Sequence, residues 1–230
     1  MKELFDFIEL RRGLVGIDKL IEISEIQLHN QIKSIVSEAI SKDIHIIRLA
    51  GPSGSGKTTT AKRIVDEAKS IGKTAYYISM DNWYKTLNIK DVPTNMFGEP
   101  DYESPMLLDI EGFKDDIHKL SGGQAINLRE FDFINRISHI TDKQIKCDKD
   151  SIIVIEGLHA INPIFDTQDK VLKVYVEPSD VQFENDEVLT SSGIRLLRRI
   201  HRDKADRGMG MLDTINKCRS VDIGEDQYIT

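Results

Sequence analysis

The segment Gly51-Pro52-Ser53-Gly54-Ser55-Gly56-Lys57-Thr58 constrains this chain more than any other. It fits the pattern G-x-x-x-x-G-K-[ST], whose meaning depends on a strand before it and a helix after it. Both are legible. Ile44-His45-Ile46-Ile47-Arg48-Leu49-Ala50 reads as a buried strand stopped by Gly51-Pro52. From Thr58 onward Ala61, Ile64, Val65, Ala68 and Ile71 recur at helical spacing, and Gly72 stands where a helix C-cap is expected. In such a unit the glycines let successive backbone N–H groups turn inward around a polyphosphate, and the helix N-terminus adds partial positive charge. Lys57 can reach the β- and γ-phosphates, Thr58 can offer its hydroxyl to Mg²⁺, and Ser53 and Ser55 shape the loop. Gly51, Ser53, Gly54, Ser55, Gly56, Lys57, Thr58 and Thr59 are therefore expected to bind ATP or GTP together with Mg²⁺.

The remaining pattern sets this unit in an α/β fold. A first helix is expected from Ser24, with Gln27 three residues on and an apolar stripe of Leu28, Ile32, Ile35, Val36 and Ala39. Further strands are expected over 74–79, 151–156 and 171–176, and a short amphipathic helix is marked by Ile110, Phe113, Ile117 and Leu120. Residues 82–105 hold Pro93, Gly98, Pro100 and Pro105 and read as a long irregular insertion that carries function. Residues 125–147 read as a small antiparallel ribbon. Alternating strands and helices imply a P-loop NTPase-type parallel sheet flanked by helices, with the loop-bearing strand in its interior. An N-terminal helical segment over 1–43 would precede the main domain over 44–230.

Composition removes several function classes. With 230 residues, 40% hydrophobic and 30% charged, the chain suits one main soluble domain. No uninterrupted aliphatic run exceeds Ile152–Ile155, which excludes a membrane span. The charge balance of 31 − 38 = −7 argues against a nucleic-acid coat. Cys147 and Cys218 lie far apart and match no zinc-ligand spacing, so both are expected as reduced thiols. The acidic start Met1-Lys2-Glu3-Leu4-Phe5-Asp6 lacks the features of an export signal, and the cytoplasm is the expected location.

Three further features carry chemistry. Glu156 ends an apolar strand before Gly157, a position that puts a carboxylate at the C-terminal sheet edge and near a loop-bound metal; the alternative is an exposed or capping acid. Asp81 follows the strand ending at Ser79 and should emerge on the same edge, where a carboxylate can take the proton of an attacking hydroxyl; the alternative is a turn aspartate. Arg195, Arg198, Arg199 and Arg202 share one helical face by their i, i+3, i+4, i+7 spacing. That face suits a lid over about residues 190–210 closing on phosphates, with Arg207-Gly208 as a hinge; the alternative is a surface helix paired with acids elsewhere.

Read together, Gly51–Thr58, Ser79-Met80-Asp81-Asn82-Trp83-Tyr84-Lys85, Asp101-Tyr102-Glu103-Ser104-Pro105, Phe131-Asp132-Phe133, Ile155-Glu156-Gly157 and the arginine segment from Arg195 to Asp203 occur in the order seen in uridine kinases. Over roughly residues 24–230 the chain resembles the phosphoribulokinase/uridine kinase family. Within it, Ser24-Glu25, Glu156–Pro163 and Gly224-Glu225 are similar to the bacterial subgroup whose kinase domain follows a TGS module. The resemblance implies an ATP- and Mg²⁺-dependent kinase of a small-molecule acceptor, a nucleoside phosphorylated at its 5′-hydroxyl, with no nucleic-acid or membrane partner. By the same resemblance Asp81 is the general base and also touches the metal held by Thr58 and Glu156. Tyr84, Glu103, Phe131, Arg136 and Arg195 contact the acceptor, with Glu103 on the ribose hydroxyls, and Arg198, Arg199 and Arg202 form the phosphate lid.

The resemblance does not carry pyrimidine specificity over, because Phe131 and Arg136 stand where uridine–cytidine kinases read the base with tyrosine and histidine. It also implies a family domain continuing past Thr230 into another strand and an adenine-flanking loop, and assembly into a homo-oligomer through the ribbon. A kinase of another alcohol, such as pantothenate or a sugar phosphate, and a nucleotide-binding regulatory protein with little turnover are the competing readings.

Overall fold

Every residue of strand β1 (Ile46–Ala50) is buried, because both faces of the sheet it belongs to are covered. The computed structural model describes residues 17–95, 98–182 and 188–228. Its main sheet is parallel in the order β2-β5-β1-β6, with β2 at Thr74–Ser79, β5 at Ser151–Glu156 and β6 at Val171–Tyr175. Alternate residues of β1 feed two cores, as the two-residue strand period requires. Ile47 and Leu49 pack with Ile32, Val36 and Ala39 of helix α1 (Ile17–Ser41) and with Ala61, Ile64, Val65 and Ala68 of α2 (Lys57–Ser70). Ile46 and Ala50 face the other core, built on Phe113, Ile117 and Leu120 of α3 (Ile110–Ser121).

The sheet and its helices fit the sequence expectation, including the interior place of β1. The start of α1 does not. The helix already runs at Ile17, the first described residue, rather than starting at Ser24, since residues 17–23 contain no breaker and Lys19 pairs with Glu22 at 3.0 Å across one turn. Ser24 is thus an interior residue, and the neighbouring Glu25 pairs with Arg63 of α2 at 2.6 Å. Through this contact and the shared core, α1 packs as part of the same body as the sheet.

One interior position departs from an apolar strand. Arg48 of β1 is 0% exposed, and its guanidinium donates to the carbonyls of Ala160 and Phe165 and to Asp166, the last at 3.1 Å. It also lies 5.4 Å from the centre of the Phe113 ring. The buried charge is tolerable because it is paired and hydrogen-bonded.

The ribbon comprises β3 (Ala125–Asp132) and β4 (Ile137–Lys146), antiparallel, with a register shift between Asn127 and Arg129. Arg129 anchors it to α3, reaching Asp109 and Asp116 at 2.9 Å each, and Asp116 also accepts from the Trp83 indole at 2.9 Å. The chain then runs through the short strands β7 (Val181–Gln182) and β8 (Val188–Leu189) into α4 (Ser191–Arg207) and α5 (Met211–Tyr228). Thr190 caps α4 by accepting from Gly193 N–H, and Gly208 ends it in the left-handed conformation at φ 62°. Among the described residues no helix is long and apolar enough to cross a membrane.

Phe113 is the hub of the second core, edge-on to Trp83 at 5.1 Å and to Phe165 at 5.4 Å. Phe113→Ala is expected to cost about 3–5 kcal/mol through the cavity it leaves. Urea unfolding followed by Trp83 fluorescence checks this; an unchanged midpoint would remove Phe113 from that role.

Candidate functional site

The parallel registers bring three strand ends level. Leu49 stands opposite Glu156, and Ser79 stands opposite Glu156 on the other side, so the loops after β1, β5 and β2 open on the same edge. The first of these is the glycine loop. Gly56 caps α2 at φ 103° and Gly54 lies at φ 80°, conformations that a side chain rarely adopts. A Cβ on Gly54 would also sit 2.9 Å from the Arg195 carbonyl oxygen and 3.1 Å from Arg199 Cγ, so α4 rests directly on the loop.

Inside this edge, Lys57 Nζ donates to the Pro52 carbonyl at 3.0 Å. Burial lowers the Lys57 pKa, opposed by the negative charges of Glu156, Glu225, Asp81 and Glu103. Thr58 Oγ1 donates to Glu156 Oε1 at 3.2 Å, and the Tyr77 hydroxyl donates to the same oxygen at 2.8 Å. Asp81 sits on the turn Met80–Trp83 that follows β2, its N–H bonded to Ser79 Oγ at 3.3 Å. Burial, then the charge of Glu156, pushes the Asp81 carboxyl up to about 6, against the pull of Lys57.

On the insertion side, Glu103 N–H donates to Asp101 Oδ1 at 3.1 Å. Burial, then the charges of Glu225, Asp81 and Asp101, pushes the Glu103 carboxyl up to about 7. His159 Nε2 donates to the Glu103 carbonyl at 2.8 Å, which fixes the tautomer because a carbonyl only accepts. Burial lowers the His159 pKa. An aromatic wall borders the same space, with Tyr84 5.2 Å from Phe131 and Phe131 4.9 Å from Phe133 between ring centres. Arg136, at φ 57°, lies 5.8 Å from the Tyr102 ring centre.

The arginine face divides its contacts. Arg198 donates to the Ser55 carbonyl at 3.3 Å, and with Arg202 it lines a cavity of about 280 Å³ shared with Lys57, Thr58 and Thr59. Arg202 is also held by its neighbour Asp203 at 2.8 Å. Arg199 is buried and lies 3.5 Å from Asp222 of α5. Arg195 pairs with Glu225 of α5 at 2.6 Å and donates to the Ser53 carbonyl at 3.3 Å.

The structure thus brings Lys57, Thr58, Glu156 and Asp81 together on one edge, and Tyr84, Phe131, Glu103 and Arg136 along the insertion and ribbon beside it. Sequence reasoning missed Tyr77, His159, Glu225 and Tyr228. Tyr77 carried no signal beyond a strand position, and the helix that bears Glu225 and Tyr228 was not foreseen. Among the described residues no cluster of three or more His, Cys, Asp or Glu has the form of a metal cage. The residues fit Mg²⁺ nonetheless, since that ion is usually held by one or two carboxylates together with substrate phosphates and water. Thr58 and Glu156, already in contact, supply such a partial set, with Asp81 beside them.

Comparison with known proteins agrees with this arrangement. The model of the phosphoribulokinase / uridine kinase family matches residues 46–230. A uridine kinase of Halobacterium salinarum is 30% identical over 162 residues, which span 70% of this chain and 64% of that protein. A uridine kinase of Staphylococcus aureus is 29% identical over 176 residues, 76% of each chain. Among solved structures, one assigned provisionally as a fructose transport system kinase from Silicibacter sp. TM1040 aligns with TM-score 0.59 at 17% identity, covering 87% of this chain and 92% of its own. YFH7 of Saccharomyces cerevisiae, assigned provisionally as a P-loop-containing kinase with a circular permutation, aligns with TM-score 0.54 at 13% identity, covering 87% and 95%.

The Asp81 carboxyl holds its proton more tightly folded, near 6, than at its ordinary value of 3.8. Its contribution to stability is therefore full below about pH 4 and lost as pH rises through about 6. Asp81→Asn removes that loss, so the variant should gain on the wild type by roughly 1–3 kcal/mol between pH 4 and 7 without ligand. Urea midpoints across this range check it, and a difference independent of pH would contradict it.

Proposed function

Since the chain belongs to the phosphoribulokinase/uridine kinase family, we propose that it transfers the γ-phosphoryl group of ATP to the 5′-hydroxyl of a nucleoside. The observation that carries the reading is the meeting of Lys57, Thr58, Glu156 and Asp81 on one sheet edge. Phosphoryl transfer asks a protein mainly for positioning and charge stabilisation, and these groups supply both. The names of the curated relatives support the nucleoside.

In this reading the backbone N–H groups of residues 53–58 and the N-terminus of α2 hold the polyphosphate, and Lys57 leaves the Pro52 carbonyl to bridge its last two phosphates. Thr58, Glu156 and Asp81 would hold Mg²⁺, which supplies Lewis-acid neutralisation of phosphate charge when bound. Asp81 takes the proton of the acceptor hydroxyl, a task suited to a carboxyl near 6 because a base works best close to the operating pH. Glu103 accepts hydrogen bonds from the sugar hydroxyls, and the wall of Tyr84 and Phe131 stacks on the base. Arg198 and Arg202 line the cavity beside the loop and stabilise charge in the transition state, with Arg195 and Arg199 on the same helix face adding to the positive field. Phe131 and Arg136 stand in place of the family's base-reading tyrosine and histidine, so the acceptor set is not confined to pyrimidine nucleosides by those two residues.

Labelled Mg²⁺-ATP offered to a panel of nucleosides, pantothenate and sugar phosphates tests this directly. A labelled nucleoside 5′-monophosphate is expected. Label on pantothenate or a sugar phosphate alone would move the chain to another small alcohol, and no transfer at all would favour a nucleotide-binding regulator. On the accepted substrate, Asp81→Asn should lower kcat about 10²- to 10⁴-fold at saturating Mg²⁺, with much less effect on ATP affinity. Full activity of that variant would remove Asp81 as the base.

A further inference from the structure

The glycine loop is not empty of negative charge. The backbone N–H of Ser53 donates to Glu225 Oε1, and the Arg195 guanidinium donates to Glu225 Oε2 at 2.6 Å. Glu225 is 4% exposed, and a carboxylate is rarely so buried unless it is paired. Its two oxygens accept from the same kinds of donor, a loop N–H and an arginine, that an anionic phosphate would use. Its charge also reaches Lys57 and Glu103, so the carboxylate stands within the site rather than at its rim.

We propose that Glu225 is an internal counter-anion of the glycine loop, a latch that keeps α5 docked until nucleotide phosphate displaces it. The inference rests on the reading of the loop as a polyphosphate site. Two observations beyond the contact itself favour a latch over a permanent structural pair.

The first is the composition of the α5 seam. Its buried described residues are Thr214, Cys218 and Glu225, whereas the large apolar side chains Met211 and Leu212 are 60% and 74% exposed. Among the described side chains of α5, the one that reaches the glycine loop does so through the polar contacts of Glu225, which a competing anion can replace. The second is electrostatic. Asp81, Glu103, Glu156 and Glu225 already act on the single charge of Lys57, and a polyphosphate cannot share that space with all of them without strong repulsion. Glu225 is the one of the four that is carried by α5 and paired with an arginine of α4, and its release also frees Arg195 for the incoming phosphate.

Displacement would be felt at the acceptor side as well. Three residues further on, the Tyr228 hydroxyl donates to Asp101 Oδ2 at 2.6 Å, and Asp101 in turn holds the Glu103 N–H. Undocking the last turn of α5 therefore removes a brace from the segment that carries Glu103.

The test compares the wild-type 230-residue chain with Glu225→Ala and Glu225→Gln, using calorimetric titration with Mg²⁺-ATP and hydrogen exchange of residues 211–228. Loss of the latch should tighten ATP binding about tenfold in Glu225→Ala and by less in Glu225→Gln, which keeps an acceptor but no charge. Without nucleotide, α5 should exchange faster in Glu225→Ala than in wild type, and Mg²⁺-ATP should speed its exchange in wild type. Equal ATP affinity in the wild type and Glu225→Ala, or slower α5 exchange on adding ATP to wild type, overturns the latch while leaving the nucleotide site standing. If neither protein binds ATP, the nucleotide reading fails and the latch as a phosphate competitor fails with it.

Discussion

The register of three parallel strands governs the rest of this structure. Because β1 pairs in parallel with β5, and β5 with β2, the chain leaves all three strands on the same side of the sheet. The glycine loop, Glu156 and the Asp81 turn are thereby delivered to one edge from three distant parts of the sequence. A shift of one residue in β5 would turn Glu156 to the opposite face, away from Thr58 and Tyr77. The two cores that clamp the sheet hold this register, which is why the fold and the site cannot be separated energetically.

The edge so formed is short of positive charge. Lys57 stands among four carboxylates, and burial drives the Asp81 and Glu103 carboxyls upward to about 6 and 7. Such a site is electrostatically unfinished. The arginines of α4 approach from the other side, two of them facing the loop cavity and two engaged by acids of α5. A cation at Thr58 and Glu156 and an anion on the loop would each relieve one half of this imbalance, consistent with a site for a metal-bound polyphosphate.

The parts legible in the sequence are those whose physics is local. The β1–loop–α2 unit, the apolar strands, the ribbon and the Gly208 cap each depend on periodicity or on the backbone freedom of glycine, and both can be read residue by residue. The start of α1 was misplaced because Ser24 has the side chain of a cap, while the decision lay with residues 17–23, which keep the helix going. Arg48 looked like one polar residue in a strand; its burial depends on carbonyls more than a hundred residues away. Helix α5 escaped notice because two of its buried described residues, Thr214 and Glu225, are polar while Met211 and Leu212 are exposed, which blurs the helical pattern. Glu225, Tyr228 and His159 share that fate, since each acts through a partner fixed only by the fold.

The central claim is that this edge is a site for a nucleotide carrying Mg²⁺. Calorimetric titration of ATP into the 230-residue chain, once with Mg²⁺ and once with the metal chelated, measures it most directly. A site for Mg²⁺-nucleotide would bind ATP at least tenfold tighter with Mg²⁺, about 1.4 kcal/mol or more, because Thr58, Glu156 and Asp81 would hold the ion and the ion would neutralise phosphate charge. Equal affinity in the two titrations, or no binding in either, would contradict it.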